Sequence, residues 1–254
     1  MGMSTSALNS PQSTPPEVSP PKDETEIGGT TISSNTLEVL KNFASINSNI
    51  LVKGGNVLTT ISPVKNVMAE ATVAEDFDIQ FGIWDLNKFL GTISLFETPE
   101  FFFEDKSVTI KSKKNNTSVQ YYYSEPSLLT TVNKQIIMPE SVVDCTITQK
   151  TFNDITKAAS VLQVNDIAIR SNGNELELVA LDKKDSTSNS YSISLGNLPH
   201  GSNDFCFYFK AENLKMLPGD YDVSITEKVV SQFTNTNLSL KYWVALESDS
   251  HYNA

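Results

Sequence analysis

TLEVLKNFASIN (residues 36–47) and TFNDITKAASVL (151–162) align without gaps, placing Thr36 on Thr151, Leu37 on Phe152, Leu40 on Ile155, Ala44 on Ala159, Ser45 on Ser160 and Ile46 on Val161. A second pair follows in the same order. DFDIQFGIWDLNKFLG (76–91) aligns on DFCFYFKAENLKMLPG (204–219), with Asp76 on Asp204, Phe77 on Phe205, Ile79 on Phe207, Phe81 on Phe209, Leu86 on Leu214 and Gly91 on Gly219. One match between amphipathic segments carries little weight. Two in one order read as an internal duplication, and so as two domains of one fold.

The spacing of apolar residues predicts helices over 36–47, 84–90, 149–162 and 211–217. In the third, Phe152, Ile155, Ala159 and Leu162 form one stripe, with Lys150, Asn153, Asp154 and Lys157 on the other side. Leu37, Leu40 and Ala44 form the matching stripe of the first. Gly91 and Pro218-Gly219 stand where the second member of each pair should stop. The intervening runs, among them NILVKGGNVLTTI, SVTIKSKKNNTSVQYYY, DIAIRSNGNELELVAL and NLSLKYWVALE, alternate or are rich in β-branched residues and are broken by GGN, KKNN and SNGN turns. Antiparallel sheets carrying two helices per domain, an α+β architecture, is the expectation.

The chain has 254 residues, and about 220 remain after a proline-rich start, enough for two domains of ordinary size. Residues 1–33 hold Pro11, Pro15, Pro16, Pro20 and Pro21 with almost no large apolar side chain, which predicts a flexible tail. The boundaries read as a tail over 1–33, domain 1 over 34–123, a connector over 124–139 and domain 2 over 140–254. No run resembles a membrane span or a secretion signal, so a soluble intracellular protein is expected.

Chemistry finds little to work with. Cys145 and Cys206 fall in strand-like runs and read as small apolar groups rather than a disulfide or metal framework. His200 lies in a turn and His251 near the end of the chain, without the company a metal ligand or general base needs. Lys53-Gly54-Gly55 lacks the strand–loop–helix context of a phosphate loop and reads as a hairpin turn. An enzyme is disfavoured, and neither a metal nor a cofactor is expected.

The runs LKNFASINSNILVKGG, DFDIQFGIWDLNKFLGTISLF, LQVNDIAI and YWVALESDSH, in this order and spacing, closely resemble the sliding clamps, or DNA polymerase processivity factors, of T-even-like bacteriophages. The resemblance runs from about residue 34 to the C-terminus, weakens between about 97 and 145, and is absent from the tail. It implies a DNA-clamp fold, a homotrimeric ring around duplex DNA, and sequence-independent attraction to phosphates from lysines on inner helices. The matching positions are Lys41, Lys88, Lys150, Lys157 and Lys215, with Lys210 and Arg170 as weaker candidates.

A net charge of −11 opposes tight electrostatic binding of DNA, and encirclement resolves that conflict. The four expected helices carry those five lysines against Glu38, Asp85, Asp154 and Glu212, so they are less acidic than the whole.

The resemblance further implies that partners dock peptide tails beneath the connector, at a pocket walled by Tyr123, Leu128, Leu129, Val244 and Leu246. The implied partners are a DNA polymerase, an ATP-driven clamp loader and late transcription factors, in the cytoplasm of an infected bacterial host. Subunit joints are expected at edge strands near SVTIKSKK in domain 1 and SNSYSISL in domain 2. The competing reading is a phage structural or protein-interaction module of duplicated β-rich domains with no DNA role.

Overall fold

A computed structural model describes residues 1–2, 29–112, 114–132, 136–227 and 230–253. Most of the proline-rich tail therefore lies outside the described residues. Domain 1 opens with helix α1 (Ser34–Ile46), then β1 (Ile50–Val52), β2 (Gly55–Ile61), β3 (Val67–Phe77), β4 (Phe81–Ile83), α2 (Leu86–Ile93), β5 (Pro99–Phe103), β6 (Ser107–Ser112) and β7 (Ser118–Tyr122). Domain 2 follows with β8 (Ser141–Ile147), α3 (Gln149–Leu162), β9 (Asp166–Asn172), β10 (Glu175–Leu181), β11 (Tyr191–Asn197), β12 (Asp204–Lys210), β13 (Tyr221–Thr226), β14 (Val230–Asn235), β15 (Leu240–Ala245) and β16 (His251–Asn253).

The duplication is physical. Ser33 caps α1 by accepting from the Thr36 amide, and Thr148 caps α3 by accepting from the Thr151 amide, so both helices start at the same place in the alignment. The strand ladders repeat as well. Val223, Phe233 and Tyr242 lie side by side across β13–β14–β15, as Phe101, Ile110 and Val119 do across β5–β6–β7. Cys145 of β8 sits beside Val223, and its counterpart Thr30 bridges Phe101 with two backbone hydrogen bonds. The contacts of domain 1 therefore begin at Thr30, ahead of the boundary at residue 34 read from composition.

The sheets join the domains. β3 of domain 1 pairs with β15 of domain 2 inside one six-stranded sheet ordered β2-β3-β15-β14-β13-β8. A five-stranded sheet runs β11-β10-β9-β12-β16, a three-stranded one β5-β6-β7, and β1 pairs with β4. All these pairings are antiparallel. Helices lie on the sheets through apolar stripes, with Val39, Leu40 and Phe43 of α1 and Ile155 and Ala159 of α3 buried.

One expected helix does not form. Residues 211–217 make only a single 3-10 turn, Ala211–Leu214, with no side-chain cap at Lys210. Pro218 explains it, because a proline biases the residue before it away from helical geometry and a segment this short cannot offset nucleation. Domain 2 accordingly carries one α-helix where two were expected.

The strand edges also differ from expectation. SVTIKSKK supplies β6, the centre of its sheet, and the return strand β7 takes the edge. The other expected edge is found: β11 covers the YSISL run and, among the described residues, pairs on one side only.

Candidate nucleic-acid interface

Four elements form a row on one side of the sheets. α2 packs on α1, α1 reaches the 211–217 turn through Asn42, whose side-chain amide donates to the Lys215 carbonyl at 3.0 Å, and that turn faces α3 across a cavity of about 440 Å³. Phe152, Ala159, Val164, Leu214 and Met216 line this cavity.

The five lysines singled out from sequence all lie on this row and all are exposed. Lys41 projects from α1, Lys88 from the first turn of α2, Lys150 and Lys157 from α3, and Lys215 from the turn. They differ in freedom. The Lys150 ammonium donates to Asp154 at 2.6 Å, one helical turn on, and that bond raises its pKa above the usual lysine range. Lys150 thus arrives partly neutralised. Among the described residues, Lys41, Lys88, Lys157 and Lys215 have no ion-pair partner.

Lys210 and Arg170 are engaged elsewhere. Lys210 donates to the buried Asp166 at 2.6 Å, and Arg170 reaches Glu177 through Nε at 3.0 Å and Nη2 at 2.9 Å. Both sit on strands of the five-stranded sheet rather than on the helical row, so neither shares a surface with the five lysines. Sequence gave no means of finding these carboxylates, because cross-strand neighbours depend on register.

A polar seam holds the row's middle together. The Tyr242 hydroxyl donates to Asn42 Oδ1 at 2.7 Å and accepts from the Leu217 amide at 3.2 Å, while Tyr221 donates to the Leu217 carbonyl at 2.6 Å. Nearby, Asn66 donates to Asn213 Oδ1 at 3.1 Å. Burial pushes the Tyr242 phenol above its ordinary range, so it stays protonated and can keep donating. Asn42 and Asn66 therefore tie domain 1 to the turn of domain 2. Sequence reasoning passed over them, since an asparagine in a helix or a turn reads as a solvated residue.

The connector candidates separate into accessible and closed groups. Leu128, at the end of a short turn over Pro126–Leu128, is 64% exposed, and Ile137 farther along is 87% exposed. Leu129 is tucked against β4, where a Cβ on Gly82 would meet Leu129 Cδ1 at 2.6 Å and the Ser124 carbonyl oxygen at 2.7 Å. Glycine at residue 82 is what lets the connector lie so close. Tyr123 stacks on Phe81 at 5.3 Å and is half-buried, as is Leu246.

Val244, expected in the pocket wall, is 0% exposed and belongs to the core. Alternation along β15 explains it, because Tyr242 and Val244 face the helices while Trp243, paired with Met68 and donating to Gln232 at 2.9 Å, faces the other way.

Residues 33–138 match the model of the DNA polymerase processivity factor family, and residues 144–248 match that of the gp45 sliding clamp, C terminal. The chain is 30% identical over 228 residues to the sliding clamp of Escherichia phage RB69, spanning 87% of this chain and 99% of that protein. It is 27% identical over 222 residues to the sliding clamp of Vibrio phage KVP40, spanning 85% and 99%. Its fold matches that of the A. fulgidus PCNA solved with the C-terminal region of FEN-1 bound, with a TM-score of 0.65, 12% identity, and 87% and 98% of the two chains covered. These matches displace the reading of a phage structural module without a DNA role. The chain belongs to the DNA polymerase processivity factor family, the sliding clamps of bacteriophages, and its work is that of a non-enzymatic DNA sliding clamp.

Proposed function

We propose that three copies of this chain close head to tail into a ring around duplex DNA, with the helical row facing the nucleic acid and the sheets outward. The observation that carries this reading is the seam inside the subunit. β3 and β15 already join domain 1 to domain 2 edge to edge, and the repeats of those two strands are β11 and β7, both open edges. β7 alternates exposed and half-buried residues, with Val119 and Tyr121 on the half-buried side, and β11 does the same with Ile193 and Leu195. Their counterparts in the closed seam, Tyr242 and Val244, are fully buried. Joining β7 of one copy to β11 of the next repeats the internal seam and covers these apolar side chains. Such a heterologous joint makes a ring when its rotation closes.

Lys41, Lys88, Lys150, Lys157 and Lys215 then line the hole, where they attract phosphates without reading bases. The exposed connector leucine, Leu128, with half-buried Tyr123 and Leu246, forms the docking site for apolar peptide tails of a DNA polymerase. The same site serves late transcription factors. An ATP-driven loader opens the ring, in the cytoplasm of the infected host.

Light scattering on the purified chain tests the assembly. The expected mass is three times the chain's 28.0 kDa, and Val119→Asp, which places a charge on the joint, is expected to give a folded monomer. A wild-type monomer at every concentration, or a variant that still assembles, would count against the joint.

A further inference from the structure

The seam inside the subunit also shows how the helices should meet between copies. Resting on the ring reading above, we infer that the joint between copies is latched by charges where the internal seam uses amides, with Asp85 of one copy held between Lys157 and Lys184 of the next.

The correspondence follows from the duplication. Asn42 of α1 falls on Lys157 of α3 in the alignment of 36–47 on 151–162, which the matching caps Ser33 and Thr148 support. Asn213 and Lys215 of the 211–217 turn fall on Asp85 and Asn87 at the start of α2 in the alignment of 76–91 on 204–219. Strand register supports this second alignment, since Phe81 pairs with Val52 as Phe209 pairs with Ile167. The β2–β3 turn bearing Asn66 has its counterpart in the β10–β11 loop, residues 182–190, which bears Lys184.

Two contacts of the internal seam then have images at the joint, while the bond from the Tyr242 hydroxyl to Asn42 has none, because Val119 stands at the Tyr242 position. Asn42, which donates to the Lys215 carbonyl, becomes the next copy's Lys157 set against Asn87; the Asn87 carbonyl lies inside α2, so the acceptor left for the ammonium is the Asp85 carboxylate two residues away. Asn66 donating to Asn213 becomes the next copy's 182–190 loop donating to Asp85. The neutral partners of the seam are thus replaced by two lysines and a carboxylate of opposite sign.

The groups are free to do this. Among the described residues Lys157, Lys184 and Asp85 have no ion-pair partner, and Lys157 and Lys184 are exposed. Asp85 Oδ1 caps α2 by accepting from the Lys88 amide at 2.9 Å, which orders the carboxylate and leaves its second oxygen available. Lys150 holds Asp154 and Lys183 is bonded to Glu247 and Asp249, while Asp182 and Asp185, which flank Lys183 and Lys184, accept from the Lys184 amide and from Thr187. Amide pairs suit a seam that never parts. Exposed charge pairs are screened by salt, which suits a joint that must open to admit DNA.

Sedimentation equilibrium without DNA tests the latch on the full chain, so that a lost phosphate contact cannot produce the effect. Asp85→Asn keeps the helix cap while removing the charge, and Lys157→Gln keeps a good helix former. Each pair should change association by about two- to fivefold per joint, and therefore by on the order of ten- to a hundredfold over three joints. The expected result is wild-type assembly that weakens as salt is raised, single variants weaker at low salt with a flatter salt response, and a double variant little weaker than Asp85→Asn alone. Salt-independent wild-type trimers, unchanged variants, or singles whose effects simply add would overturn the latch while leaving the ring standing. A wild-type chain that never assembles would instead remove the ring reading beneath it.

Discussion

Tyr242 shows what a single buried polar atom contributes. Its hydroxyl satisfies Asn42 and the Leu217 amide at once, so Tyr242→Phe leaves two half-buried groups without their partner. The expected loss is about 1–3 kcal/mol of folding stability, read as a lower urea midpoint with an unchanged slope. Glu75 is a second case. Burial alone would raise its pKa, but bonds donated by the Thr36 hydroxyl and the Ser33 amide more than offset that and hold it below the usual carboxylate range. A depressed folded-state pKa adds stability that is present at neutral pH and lost as pH falls below about 4.5 through the folded value. Glu75→Gln should therefore flatten the acid limb of the stability profile, whereas an acid limb as steep as wild type would remove Glu75 as its source. Neither residue was legible beforehand, because the partners of Tyr242 and Glu75 come from distant parts of the chain and only the folded register brings them together.

At the scale of elements, the sequence was readable where one local signal decided the outcome. α1 and α3 followed from apolar periodicity, and their repeat gave the duplication. The 211–217 helix failed because Pro218, read only as the signal that ends it, also keeps so short a segment from forming, and Gly91, read as the matching stop, lies inside α2. β6 was taken for an edge because both strands of its hairpin look alike in sequence, and only pairing shows which one lies outside. Val244 differs for a related reason: in a strand one position separates the two faces of the sheet, and Val244 falls on the face that packs against the helices. The row of α1 and the 211–217 turn makes a prediction of its own. Reversing Lys41 and Lys215 together to glutamate should leave assembly intact while weakening attraction to DNA, with the salt slope of binding to short duplexes falling by up to about 0.9 for each phosphate contact removed. An unchanged slope would take both side chains off the DNA-facing wall.

For the molecule as a whole, the governing fact is a conflict between charge and role. A chain with 19 basic and 30 acidic residues repels phosphate at long range, yet its family works on DNA. A lysine row that is locally less acidic softens the repulsion without reversing it. Holding DNA by closure needs no strong attraction, and a weak one permits sliding. Retention of the loaded protein on nicked circular DNA, compared with the same DNA after it is cut once to make it linear, tests this most directly. The account predicts that the protein stays on the circle at salt that strips ordinary electrostatic binders and runs off the linear form. Equal release from both would contradict it.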